Sequence, residues 1–213
     1  ILAIGNIDIQ YGQRLGADFD LASLQSNYDA VFLGIGLSAV NSLGLENEDA
    51  TGVINAVDYI SQLRQSNSLA DLPVGKRVVV IGGGMTAIDM ATQIRLLGAD
   101  EVTLVYRRGK EAMNASKDEQ EFTQVKGVTI RYNAKPRRIQ TNEGQIFGIE
   151  FESTRNDTSG HLEGTGETFS LPADMIFKAI GQVFETPSNC KFELDKGRIQ
   201  VDEQRKTSVA GVW

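Results

Sequence analysis

Residues 77 to 89 place the tightest constraint on what this chain can fold into. They read Arg-Val-Val-Val-Ile-Gly-Gly-Gly-Met-Thr-Ala-Ile-Asp, an apolar run that breaks at Gly82, Gly83 and Gly84 and resumes with helical spacing. Such a chain leaves a buried strand, turns on residues without a Cβ and enters a helix. The turn then offers bare backbone N–H groups and the positive end of a helix dipole, an arrangement suited to a phosphate. The pattern is Gly-x-Gly-x-x-Ala, with Ala87 in the third position. It means dinucleotide binding only where a strand precedes, a helix follows and a second strand closes the unit.

The flanking sequence meets those conditions. Pro73 and Gly75 mark the entry, the helix is predicted from about Thr86 to Leu97 with Gly98 as its stop, and Glu101 to Tyr106 supplies the second strand. In this reading Gly82 permits the turn, Gly84 lets a pyrophosphate approach and Ala87 keeps helix and strand close, with Gly83, Met85 and Thr86 as the backbone between. Asp89 is assigned to the first helical turn, where the dipole favours a carboxylate. Ser116-Lys117-Asp118-Glu119 has capping-box spacing and predicts a second helix to about Lys126, with a third strand over Val128 to Tyr132. Lys135 to Phe169 alternates like an antiparallel meander and is punctuated by Asn142-Glu143-Gly144.

The N-terminal third is less regular. Leu2, Ile4, Ile7 and Ile9 suggest a strand, Tyr28 to Gly36 a buried strand ending in glycines, residues 37 to 56 a loop, and Ala56 to Gln65 an amphipathic helix. Asp29, Phe32, Ile35 and Gly36 recur as Asp174, Phe177, Ile180 and Gly181 at a constant offset of 145. The echo predicts the ends of two related nucleotide-binding units. Gly36 and Gly181 are then either strand ends that simply turn or backbone lying against a cofactor. The glycine turn of the first unit would fall about 60 residues upstream of Ile1, so the chain reads as a piece of a longer polypeptide.

The residues also exclude chemistries. With 28 acidic and 21 basic residues the net charge is −7, which argues against a nucleic-acid footprint. No apolar run approaches the roughly 18 residues of a membrane span, and a cytoplasmic protein is expected. The single cysteine, Cys190, forms no intrachain disulfide and no thiolate-ligated cluster, so electron chemistry would fall to a bound cofactor. The lone His161 sits in polar surroundings and reads as a solvated loop residue. No side chain is assigned a catalytic or metal-ligating role.

The end of the second strand bears on which nucleotide. An NAD site usually places Asp or Glu there for the ribose 2′-hydroxyl, whereas Tyr106 is followed by Arg107 and Arg108. Two guanidiniums suit a 2′-phosphate, so NADP(H) is favoured over NAD(H). A methyltransferase, which also opens with a glycine-rich turn, would want an acidic residue at that point.

Three stretches carry a family resemblance: Val80 to Asp89, Val102-Thr103-Leu104-Val105-Tyr106-Arg107-Arg108-Gly109, and Phe177-Lys178-Ala179-Ile180-Gly181-Gln182. Together they resemble the FAD- and NAD(P)-dependent oxidoreductase family of glutamate synthase small subunits and the related NAD(P)-binding subunits of dihydropyrimidine dehydrogenase. The resemblance runs over essentially the whole chain, to Lys206 to Trp213, which in the family leads into a Gly-Gly-Asp flavin segment. It implies an α/β fold: a Rossmann-like NAD(P)-binding domain with a parallel sheet and an antiparallel β-meander, inserted in a partial FAD-binding domain. The expected boundaries are 1–74 for partial FAD domain and linker, 75–181 for the NAD(P)H domain and 182–213 for the C-terminal FAD portion. The family passes hydride from nicotinamide to FAD and electrons through iron–sulfur clusters to a partner subunit. By that resemblance Gly82 to Ala87 hold the pyrophosphate and Arg107 and Arg108 the adenosine ribose or its phosphate. Without the two flavin segments these 213 residues are not expected to hold FAD firmly, and one cysteine leaves no dithiol for direct disulfide reduction. A non-enzymatic nucleotide sensor stays open beside the oxidoreductase.

Overall fold

A computed structural model describes residues 2–37 and 39–213. The chain divides into two compact units: Ile1–Ala39 together with Gln182–Trp213, and the continuous segment Val40–Gly181.

The first unit is small. Its helix α1 (Leu21–Asn27) is capped by Asp20, whose Oδ1 accepts a bond of 2.7 Å from the Ser23 amide. Leu21, Val31, Cys190 and Val212 form its buried centre. Burial pushes the Cys190 thiol above its ordinary range. Two expectations fail in this unit. Leu2–Ile4 is a single 3₁₀ turn, and Ile4, Ile7 and Ile9 are exposed with no strand beside them among the described residues, while Ile1 lies outside those residues. The segment 28–36 is not a buried strand. Among the described residues it pairs only along Val31–Leu33, with Gly211–Trp213, and Phe32 is 82% exposed, whereas its echo Phe177 is fully buried. A run that is apolar enough for a buried strand becomes one only when neighbours pair both its edges.

The second unit is built in three layers around a parallel sheet. Its strands are β1 (Val53–Asn55), β2 (Arg77–Gly82), β3 (Glu101–Val105), β4 (Val128–Arg131) and, after the meander strands β5 (Ala134–Asn142), β6 (Gln145–Asn156) and β7 (Leu162–Pro172), β8 (Met175–Ala179). The spatial order of the parallel sheet is β1-β8-β2-β3-β4. Helices α2 (Ala56–Gln65), α3 (Met85–Leu96) and α4 (Lys117–Val125) make the crossovers between the first four strands. Every residue of β2 from Val78 to Gly82 is buried, as a strand covered on both faces must be. Val78, Val80, Val102, Leu104 and Phe177 join the core on the helical face, with Tyr59 edge-on to Phe177 at 5.0 Å. Val79, Ile81, Val105 and Ile176 face the opposite way and pack against Ile139, Ile149 and Phe151 of the meander. Truncating Phe151, which is fully buried, to alanine should lower unfolding free energy by about 3–5 kcal/mol, read from urea denaturation.

Two sequence expectations need correction here. The unit starts at Val40 rather than at residue 75, because the 37–56 region contains β1, which pairs in parallel with β8 from Val53↔Ile176 to Asn55↔Lys178. A three-residue strand carries too little periodicity to be read from sequence. Asp89 lies one turn beyond the first helical turn, which holds no acidic residue. Among the described residues no helix is long and apolar enough to cross a membrane.

Candidate functional site

The three glycines do three different things. Gly82 ends β2 opposite Ala179 of β8, and a Cβ there would collide with the Ala179 carbonyl oxygen and approach the Ala87 Cβ to 3.0 Å. At Gly83 a Cβ would enter the Tyr106 ring. Gly84 is unlike both: its backbone is ordinary extended (φ −101°, ψ −178°), and a Cβ there would meet no protein atom within 4 Å. Neither conformation nor packing calls for glycine at 84, so the open space in front of it is what the missing side chain preserves. Gly84 also offers no side-chain cap to α3. The first amides of the helix, Met85 and Thr86, therefore keep the free donors of a helix N-terminus.

The turn is braced from behind. The Gly83 carbonyl accepts from the Asn114 and Ala115 amides at 3.0 and 3.2 Å. The Ala115 carbonyl accepts from Gln120 Nε2 at 2.9 Å, and Gln120 Oε1 accepts from the Tyr132 hydroxyl at 2.8 Å. Gln120 is 2% exposed. Gln120→Ala leaves buried donors and acceptors unmatched and should lower stability by about 1–3 kcal/mol, measured as a shift of the thermal midpoint.

In front of the turn lies a cleft of ≈ 700 Å³. One wall is the glycine turn with Thr86, and a second is Tyr106, Arg107 and Arg108. A third is the start of the meander at Ala134 and Lys135, and the fourth is the loop 41–43 with Ala179 to Gly181. Backbone bonds hold the arginine wall: the Arg107 carbonyl accepts from the Thr154 hydroxyl at 2.7 Å and the Arg108 carbonyl from the Asn133 amide at 3.1 Å. Both arginines are exposed, and neither guanidinium has a hydrogen bond or ion pair among the described residues. Pinned backbones with free cationic heads leave that end of the cleft ready for an anion.

The loop wall depends on a buried charge pair. Glu48 accepts from Ser42 Oγ at 2.6 Å, from the Leu43 amide at 2.8 Å, from the Gly44 amide at 2.9 Å and from Lys178 Nζ at 2.8 Å. The side chains of Lys178 and Glu48 are only 13% and 9% exposed. Burial pushes the Glu48 carboxyl up, but the bonds from Lys178, Ser42 and Leu43 outweigh it and hold it at about 2. Asn41 completes the wall, its amide donating to the Gly181 carbonyl at 3.1 Å and its Nδ2 to Ile180 at 3.2 Å.

Of the residues singled out from sequence, Gly82, Gly83, Gly84, Thr86, Arg107, Arg108 and Gly181 line this one cleft. Met85 is 60% exposed and does not line it, and Ala87 is buried beneath the turn, packed close to Gly82. Gly36, at φ +66°, belongs to the other unit. Asn41, Ser42, Leu43, Asn114 and Lys135 line the cleft as well. The sequence carries no local signal for them, since Asn41 reaches the cleft through a partner 140 residues away. His161 is exposed, 3.7 Å from Asp157, and the described residues contain no cluster of metal ligands.

The pyridine nucleotide-disulphide oxidoreductase model matches residues 7–213. The chain belongs to that family. Among relatives of this family member, the glutamate synthase [NADPH] small chain of Escherichia coli is 35% identical over 93% of this chain and 44% of its own length. The NAD-dependent dihydropyrimidine dehydrogenase subunit PreT of Salmonella typhimurium is 32% identical over 83% of this chain and 38% of its own. The chain thus spans less than half the length of either. FprA of Mycobacterium tuberculosis in complex with NADPH shares the fold, with a TM-score of 0.68 at 20% identity over 84% of this chain and 56% of that one. The cleft fits the family's dinucleotide on its own geometry, because the unfilled space at Gly84, the free helix N-terminus and the two unpaired guanidiniums are the groups a pyrophosphate and an adenosine phosphate need.

Proposed function

We propose that this chain is the pyridine-nucleotide-binding portion of a flavoprotein oxidoreductase and takes NADPH in the Val40–Gly181 cleft. The observation that carries the reading is the open cradle at Gly84 facing two arginines with free guanidiniums. Gly82 to Thr86 receive the pyrophosphate on backbone donors, while Arg107 and Arg108 grip the 2′-phosphate of the adenosine ribose. A dinucleotide held there would supply a hydride to an FAD bound by the whole protein. The chain's own share is orientation: it fixes the dinucleotide at one end so that the other is presented in one geometry. In the whole protein, working in the cytoplasm, the electrons pass on to a partner electron-transfer or catalytic subunit. The names of the relatives point to both nicotinamide dinucleotides, one to NADPH and one to NAD, so the arginines carry the preference for NADP(H).

Calorimetric titration tests that preference: 2′,5′-ADP should bind at least about 10-fold tighter than 5′-AMP, a difference of 1.4 kcal/mol. Binding no tighter would overturn the choice of NADP(H). For the chemistry, a longer yellow, flavin-containing protein should oxidise NADPH with an artificial acceptor. A colourless protein that binds nucleotide without oxidising it would instead be a sensor.

A further inference from the structure

We infer that Lys135 is a third cation of the 2′-phosphate end of the cleft, kept at its margin by Glu152, and therefore a specificity-determining residue for the phosphorylated dinucleotide. The inference rests on the nucleotide reading above. Lys135 lines the same cleft as Arg107 and Arg108. It is tied to them through backbone bonds: the Ala134 amide donates to the Tyr106 carbonyl at 3.1 Å, and the Asn133 amide to Arg108. Pro136 follows it and biases Lys135 to extended backbone, in register with Glu152 across β5 and β6.

The neighbouring cations are committed elsewhere. Arg137 and Arg138 both pair with Glu150, at 3.4 and 3.1 Å, and neither lines the cleft. Lys135 Nζ lies 3.1 Å from Glu152 Oε2, and the two members of that pair differ in freedom. The Glu152 side chain is 19% exposed, also accepts from the Gly166 amide at 3.1 Å, and sits where any Cβ at Gly164 would strike it. The Lys135 side chain is 42% exposed and makes no other side-chain bond among the described residues. The lysine is the member free to move. A half-exposed pair of this kind holds weakly, whereas a phosphate offers nearly two charges and three acceptor oxygens. Glu152 would keep the ammonium near the site without a nucleotide and give it up to a 2′-phosphate.

The test is calorimetry of 2′,5′-ADP and 5′-AMP on the whole chain and on Lys135→Gln, Glu152→Gln and Arg108→Gln. Lys135→Gln should weaken 2′,5′-ADP by about 5- to 10-fold while changing 5′-AMP by less than about 2-fold; unchanged 5′-AMP binding also reports an intact fold. Glu152→Gln should move the other way and tighten 2′,5′-ADP, since it removes a competing negative charge. Equal losses for both ligands in Lys135→Gln, or no loss for either, would overturn the inference. If Arg108→Gln then still reduced discrimination, the NADPH reading would stand without it. Equal binding of both ligands by the unaltered chain would overturn both together.

Discussion

Gly82→Ala is expected to unfold the Val40–Gly181 unit, while Gly84→Ala, two residues away in the same turn, leaves it folded and weakens nucleotide binding on the order of 100-fold. The Cβ added at 82 meets the Ala179 carbonyl oxygen, which belongs to the backbone of β8, and β8 is hydrogen-bonded in register to Gly82. A side chain could rotate away, but a paired strand in the middle of the sheet cannot. The destabilisation should exceed about 3 kcal/mol, beyond ordinary overpacking. At 84 the new methyl meets no atom within 4 Å beyond its chain neighbours, and although alanine is a poorer N-cap than glycine, neither supplies a side-chain cap bond, so the cost in stability should stay below about 1 kcal/mol. The methyl does occupy the pyrophosphate's approach, and 2′,5′-ADP should weaken on the order of 100-fold, about 2.7 kcal/mol. Circular dichroism with urea and calorimetry separate the two effects. Loss of the fold in Gly84→Ala, or full nucleotide binding by it, would contradict the assignment of Gly84 to the ligand.

The second large effect lies in the pair Glu48–Lys178. Lys178→Met should lower stability by about 3–5 kcal/mol, because it leaves a buried carboxylate without its counter-charge. A Glu48→Leu, Lys178→Met double variant should recover only part of this, since the Leu43 amide and the Ser42 hydroxyl would lose the carboxylate they now share. The pH dependence has a definite sign. The Glu48 carboxyl, ordinarily 4.5, is held at about 2 in the fold. A depressed carboxyl contributes stability that is fully present above its unfolded value and fades as pH falls towards the folded one. Urea midpoints of the unaltered chain should therefore drop steeply between pH 4.5 and pH 2, and Glu48→Gln should start lower and fall less. Glu48 also fixes the 41–43 wall, so that variant should weaken nucleotide binding at neutral pH.

The helical elements of the large unit were legible for local reasons. Ser116 caps α4 with a reciprocal Glu119 bond, and Gly98 and Gly127 follow α3 and α4 at φ +113° and +90°. The tight turn at Glu143-Gly144, both at positive φ, was readable in the same way. Nearest-neighbour chemistry decides such features, and the sequence states it directly. The segment 28–36 resisted because an echo in sequence with 174–181 does not supply the neighbouring strands that bury a segment. Phe177 became core because β1 and β2 flank its strand, and Phe32 stayed exposed because strands do not flank it on both edges.

By itself the sequence determined the strand, turn and helix around Gly82 to Gly84, the bare backbone donors of that turn, and the pair of arginines after β3. Each follows from residues a few positions apart, through φ freedom, dipole and charge. Only the tertiary structure decided which glycine the packing requires and which faces open space, since that depends on Ala179, some 97 residues from Gly82. It also decided that Glu48 and Lys178 clamp a wall of the cleft and that Lys135, not Arg137 or Arg138, faces it. Those outcomes depend on which strands lie side by side, and pairing between distant segments leaves no periodic mark in either one.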